Sequence, residues 1–283
     1  MSPDRVNAPS LHTGVWNNNY SRQLAGDFVA GSLSATLIAP IITVIDRSVV
    51  ERLSSNRSLL STLRTHAFCS ILEPKRFYIS RPFFIAWSLY AATYVTANAT
   101  DTSLSHLPEL SEKSTIANIA TTFSFLPTYV VNVSLGILKD IRFAQIYGDP
   151  NTVHKRHPPI PRAAYMAFLL RDSITISSSF TLAPRMASFI PDWITADLHT
   201  KKTVTQLALP VLVQFVNTPF HLIALDLITR PQVATIAERS ALIRSGWVQS
   251  SSMRAARTLP AFGVGCVVNA ELRTFFHEQW MIR

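Results

Sequence analysis

The chain has 283 residues, of which 48% are hydrophobic and only 15% charged, and its net charge is +9. Soluble domains carry about 25% charged residues, so this composition has too few charges to coat a water-facing globule of that size. Two distant cysteines, Cys69 and Cys266, exclude a disulfide framework and offer no metal-ligand spacing.

Residues 1–21 read as a polar tail without the apolar core of a secretory signal or the Arg-rich, acid-poor character of a presequence. Any organelle address is therefore expected to be internal. Six segments follow that are long enough to cross a bilayer, which takes about 20 apolar residues: 24–45, 77–99, 115–138, 163–190, 203–228 and 256–276. They carry Ser, Thr, Gly, Asn and isolated charges, the texture of helices with one lipid face and one packed or wet face. The competing reading is a large soluble protein of amphipathic helices. The first segment opens Ala25-Gly26-Asp27-Phe28-Val29-Ala30-Gly31, whose small residues admit a close neighbouring helix. Asp27, on that face, is expected near the water interface. Apolar residues at helical intervals over 58–68 predict a short amphipathic helix on the membrane surface. A similar element is predicted over 233–247, with Ser245-Gly246 as its C-cap.

Three prolines, Pro40, Pro127 and Pro219, each interrupt a long apolar segment and stand 87 and 92 residues apart. Each such segment is followed by a basic, polar stretch and a second apolar segment, so the chain reads as one helical hairpin copied three times. The fold predicted is an all-α membrane protein of six transmembrane helices, three tandem hairpins about a pseudo-threefold axis. Its single membrane domain spans 22–276, with repeats at about 22–105, 110–192 and 200–276, and a tail over 277–283. Proline removes a helix hydrogen bond and kinks the helix, and transporters use such kinks to close a cavity.

Charge is divided unevenly between the two faces. The loops 47–76, 139–162 and 230–254 together hold 15 basic and 5 acidic residues, against 6 and 7 on the opposite face. A one-sided Lys/Arg excess is the topological signature of a membrane protein. It accounts for the positive charge without nucleic acid, since no basic run is interleaved with exposed aromatics. The cluster His154-Lys155-Arg156-His157 reads as a solvated loop rather than a metal site.

An ionisable residue at membrane depth costs about 2.5–3.5 kcal/mol and normally faces water or a partner. Arg81, Arg171, Asp172 and Arg257 fall in apolar segments. Three arginines against one acid would make a site for a carboxylate or phosphate, and Arg171 with Asp172 would also suit a zwitterion. Alternatively, Arg81 and Arg257 snorkel to the interface and Arg171 pairs with a neighbouring helix. Gln214, Asn217 and His221 line up at helical intervals, either as bonds between helices or as cavity lining. No nucleophile–base pair, Gly-rich phosphate loop or metal spacing occurs, so neither an enzyme nor a cofactor is expected.

The A-G-x-x-x-A-G opening, the proline eight residues on, the three repeats and the one-sided basic loops resemble the mitochondrial carrier family. Arg171-Asp172 looks like the family's mid-membrane Arg-acid pair, and Arg257-Thr-Leu-Pro260 like the Arg-x-x-Pro of its last helix; Arg81-Pro82 is the nearest equivalent in the second segment. The resemblance implies the carrier fold in the mitochondrial inner membrane, moving a small anionic or amino-acid-like metabolite by alternating access. It makes Arg81, Arg171, Asp172 and Arg257 substrate ligands. Pro40, Pro127, Pro219, Asp46 and Arg47 become what remains of a gate. The family's Pro-x-acid-x-x-base pairs are missing: Ile42 and Ile45 follow Pro40, Tyr129 and Asn132 follow Pro127, and His221 and Ala224 follow Pro219. That departure supports an alternative, a carrier-derived, non-transporting scaffold of a mitochondrial membrane, inner or outer, with a protein partner. The other partners expected are the substrate and membrane lipid.

Overall fold

The computed structural model describes residues 18–54, 58–106, 124–147, 159–193, 195, 197–230 and 235–281, and among these every regular element is helical. In chain order they are α1 (Asn18–Ser54), α2 (Leu59–Leu72), α3 (Pro74–Tyr78), α4 (Arg81–Ser105), α5 (Phe125–Tyr147), α6 (Arg162–Ile176), α7 (Ala183–Met186), α8 (Leu198–Thr229), α9 (Ile236–Thr258) and α10 (Gly265–Met281). A π-helical turn, Ser177–Leu182, joins α6 to α7, and another, Leu259–Val264, joins α9 to α10. The basic cluster at 154–157 and residues 115–123 of the third segment lie outside the described residues.

Local chemistry explains most helix starts. Ser58 caps α2 through its side chain, as the expected surface helix requires. Asp197 accepts the Thr200 backbone N–H at 2.8 Å at the start of α8. Thr235 and Glu238 form a reciprocal capping box on α9. Pro82 sits in the first turn of α4, where its missing N–H costs nothing. The C-cap predicted at Gly246 does not form: no glycine among the described residues has a positive φ, and α9 runs on through Gly246 to Thr258. Gly246 is buried there, packed near Leu222 and Arg52.

The bundle buries polar and charged side chains beside its apolar clusters and exposes many large apolar ones. Leu33, Leu37 and Ile41 stand one turn apart along α1 and are each about half exposed, while Asp27, Ser34 and Asp46 on its other face are buried. Phe84, Val130, Met166, Leu212 and Val216 give the other long helices exposed apolar side chains. An apolar exterior of this kind is what lipid stabilises and water penalises. Among the described residues two stretches, Asn19–Arg52 and Ala208–Thr229, are long and apolar enough to cross a membrane on length and composition. The six expected spans are therefore not all apparent by that measure.

α1 packs on α4, α4 on α5, α6 on α8, α8 on α9, and α10 returns to α1; α5 and α6 meet sparsely. Gly31 lets α1 and α4 touch backbone to backbone, since an added Cβ would lie 2.9 Å from the Val95 nitrogen. The small-residue motif thus acts as expected. Pro40 and Pro219 lie inside α1 and α8, but Pro127 stands in the first turn of α5. Pro219 cannot bond the Phe215 carbonyl, and Trp247 Nε1 donates to that carbonyl at 2.7 Å instead.

Candidate functional site: a central cavity with a charged floor

Between the helices lies a cavity of about 300 Å³. Its upper wall is neutral and polar, with Thr93, Thr128 and Asn132, and Tyr90, Tyr94 and Ala97 add aromatic and small surfaces. Asn132 Nδ2 donates to Thr93 Oγ1 at 3.1 Å. Its floor is charged: Lys139 and Asp140 from α5, Arg171 and Asp172 from α6, Arg254 and Arg257 from α9. Beneath the floor an apolar cluster including Val50, Phe143, Phe168, Leu222 and Leu225 closes the end of the bundle that carries the basic loops.

The floor is a chain of ion pairs running between helices. Asp46 of α1 accepts from Lys139 and from Arg257, the latter at 2.8 and 3.0 Å. Lys139 also reaches Asp140 at 2.9 Å. Arg171 holds Asp172 through two bonds of 2.8 and 2.9 Å, pairs with Asp140, and donates to His221 Nδ1 at 2.9 Å. Side-chain exposures of 3% for Lys139 and 8% for Asp140 show how far this layer is removed from bulk water. Such pairs offset their desolvation only when geometry and extra bonds are good, so breaking one is costly.

Arg254 differs from its neighbours. It is 4% exposed, and its Nη2 donates to Gln214 Oε1 at 3.1 Å. Its Nε has no partner, and among the described residues no carboxylate forms an ion pair with it. Gln214 is itself held by its Nε2, which donates to the Pro210 carbonyl at 3.1 Å.

The residues singled out from sequence divide as follows. Arg171, Asp172 and Arg257 line the cavity together. Arg81 does not join them: it is exposed at the start of α4 and lines a separate concavity with Phe84, Arg142 and Gln145. Its adjacent proline opens a helix rather than marking a site in the membrane. Asp46 underlies the floor, whereas Arg47 bonds the Tyr147 hydroxyl and stacks over the Phe77 and Tyr147 rings. Of the α8 row, Asn217 donates to Thr175 Oγ1 at 2.7 Å and His221 meets Arg171, so both bond between helices, while Gln214 also lines the cavity. Sequence reasoning missed Lys139, Asp140 and Arg254 as floor residues. The first two follow the third apolar segment directly, and Arg254 precedes the sixth. Each is thus a charge within a turn of a predicted span, the signal that could have found it.

A second buried charge layer lies toward the other end of the bundle. Asp27 accepts from Thr102 Oγ1 at 2.5 Å, Arg273 Nε at 3.0 Å and His277 Nε2 at 2.9 Å. Asn98 and Asn269 exchange amide bonds of 3.0 and 2.7 Å beside it. Asp27 is fully buried, because α4 and α10 close over it.

No curated protein and no solved structure matches the chain. The resemblance to the mitochondrial carrier family does not hold, because the family model that matches is a different one. Small-residue faces, helix-interrupting prolines and one-sided basic loops arise wherever membrane helices pack closely and insert with a fixed orientation, so they do not single out carriers. The matching model covers residues 30–277, which include every floor residue and the whole of the cavity wall. The apolar exterior, the polar cavity and this match make the chain a membrane-embedded transporter of a small metabolite, and it belongs to the family described as probable citrulline exporter.

Proposed function

We propose that the protein exports citrulline, or a closely related neutral amino acid with a ureido or amide end, through the central cavity. The single observation that carries this reading is the division of the cavity into a charged floor and a neutral polar wall. Citrulline has that same division: an α-ammonium and α-carboxylate at one end, an uncharged ureido group at the other. Asp172 lines the cavity, and the two bonds from Arg171 leave lone pairs on its carboxylate for an ammonium. Asn132, Thr93 and Thr128 supply donors and acceptors for a ureido group at the far end. A cavity of this size is at the lower end of the usual range for small-molecule sites, about 300–1,000 Å³.

Arg171 is best read as a positioning residue, because Asp140, Asp172 and His221 occupy its donors. Arg257 spends only Nη1 on Asp46 and can serve both floor and substrate. Transport would proceed by alternating access. The pairs from Asp46 to Lys139 and Arg257, and from Asp140 to Arg171, join α1, α5, α6 and α9, and would part to open the basic end. Pro40 and Pro219 mark where α1 and α8 can bend in that step, with Pro127 at the start of α5 and Arg47 anchoring the end of α1. Residues 22–276 would form one transport unit. The mitochondrial inner membrane was implied by the carrier resemblance; immunoblots of fractionated cells would test that address.

The direct experiment is efflux of radiolabelled citrulline from liposomes containing the purified protein. Saturable efflux, lost in Asp172→Asn, is the expected result. A folded protein that moves no citrulline while moving an unrelated solute would end the citrulline reading.

A further inference from the structure

We propose that Arg254 is the residue that binds the substrate carboxylate, and that it makes a free carboxylate a requirement of the transported molecule. The proposal deepens the transport reading above and rests on it.

Charge balance across the floor leads to Arg254. The carboxylates of Asp46, Asp140 and Asp172 face Lys139, Arg171 and Arg257, and each of those three cations pairs with at least one of them. Arg254 is the fourth cation, and no acid is left for it. A guanidinium presents five N–H donors. Here one reaches a neutral amide oxygen and the Nε is an orphan. A buried donor without an acceptor costs about 1–3 kcal/mol, and a buried charge without a counter-ion costs more, so an anion at Arg254 would be favoured. The other cavity cations are already bonded to carboxylates fixed in the protein, and an incoming anion would have to compete with them.

Geometry supports a carboxylate as that anion. Nε and Nη2 lie on the same edge of the guanidinium and form the fork that a carboxylate meets with two parallel bonds. In the empty cavity Gln214 Oε1 holds the Nη2 half of that fork. A carboxylate would take both donors and displace the Gln214 oxygen, and Gln214 would then be free to bond the substrate. Gln214 thus acts as a placeholder that a charged acceptor replaces and a neutral carboxamide does not.

The test uses the full-length protein in detergent or nanodiscs and measures thermal stabilisation by citrulline and by citrullinamide, in which the carboxylate is an amide. The wild type is expected to respond to citrulline at a concentration at least ten-fold lower than to citrullinamide. In Arg254→Gln the two responses should become equal, through loss of the citrulline response. Arg254→Lys should keep the charge but not the fork, and so an intermediate ratio. A merely structural Arg254 would lower stability without changing the ratio, and an unchanged ratio in folded Arg254→Gln overturns the proposal. If the wild type ignores citrulline but an Arg254-dependent response to another carboxylate is found, the citrulline reading falls and this one stands. A wild type that responds to no carboxylate ends both.

Discussion

The two buried charge layers are made from the same residue types and behave as opposites. The Asp27 layer gathers Arg273, His277 and Thr102 on one carboxylate, with the paired amides of Asn98 and Asn269 alongside. It joins only α1, α4 and α10, and its cations are partly exposed, Arg273 at 26%. The Asp46–Asp140 layer draws on α1, α5, α6 and α9, floors a cavity, and holds one cation more than its acids can pair. A charge layer that only holds helices together can balance itself, because nothing else has to enter. A layer that also recognises a charged group keeps a donor unspent for it, as Arg254 Nε is here.

The contrast yields tests of decreasing size. Asp46→Asn strips Lys139 and Arg257 of a shared acid in a nearly dry site, and should cost about 3–5 kcal/mol, visible as a large drop in the unfolding temperature in detergent. A drop no larger than that of Asp27→Asn would erase the distinction between the layers. Asp27→Asn should cost less, about 1.5–3 kcal/mol, because the partly exposed Arg273 can turn to water. It should leave stabilisation by citrulline intact, since no residue of that layer lines the cavity. Next come the paired amides. Asn98→Leu or Asn269→Leu alone orphans the other amide at about 1–3 kcal/mol, whereas the double change should be close to neutral. A double variant as unstable as the sum of the singles would mean that this layer does more than join helices. Smallest is Trp247→Phe, outside both layers, which leaves the Phe215 carbonyl unsatisfied for about 1 kcal/mol and should leave efflux rates unchanged.

Particular residues show what could be read in advance. Gly31 in its small-residue motif announced a close helix contact, and Val95 supplies it. Ser58 announced the start of α2. Arg171, Asp172 and Arg257 were conspicuous as charges in apolar segments, and they share one cavity. Arg81 was conspicuous for the same reason and lies elsewhere, because an arginine at a helix start reaches the surface whatever its neighbours in sequence are. The carrier resemblance failed for a related reason: proline and glycine report that helices bend and touch, not what they enclose.

Composition and periodicity alone pointed to a helical chain with the apolar segments of a membrane protein. These are properties of residues averaged along a helix, and the averages survive any arrangement of the helices. Only the tertiary structure decided which charges are spent on one another and which is not. Arg254 looks no different from Arg257 as a letter three positions earlier; Asp46, 211 residues from Arg257 along the chain, makes the difference by bonding that guanidinium directly. Charge pairing depends on distances of a few ångströms between remote segments, and those distances exist only once the helices have packed.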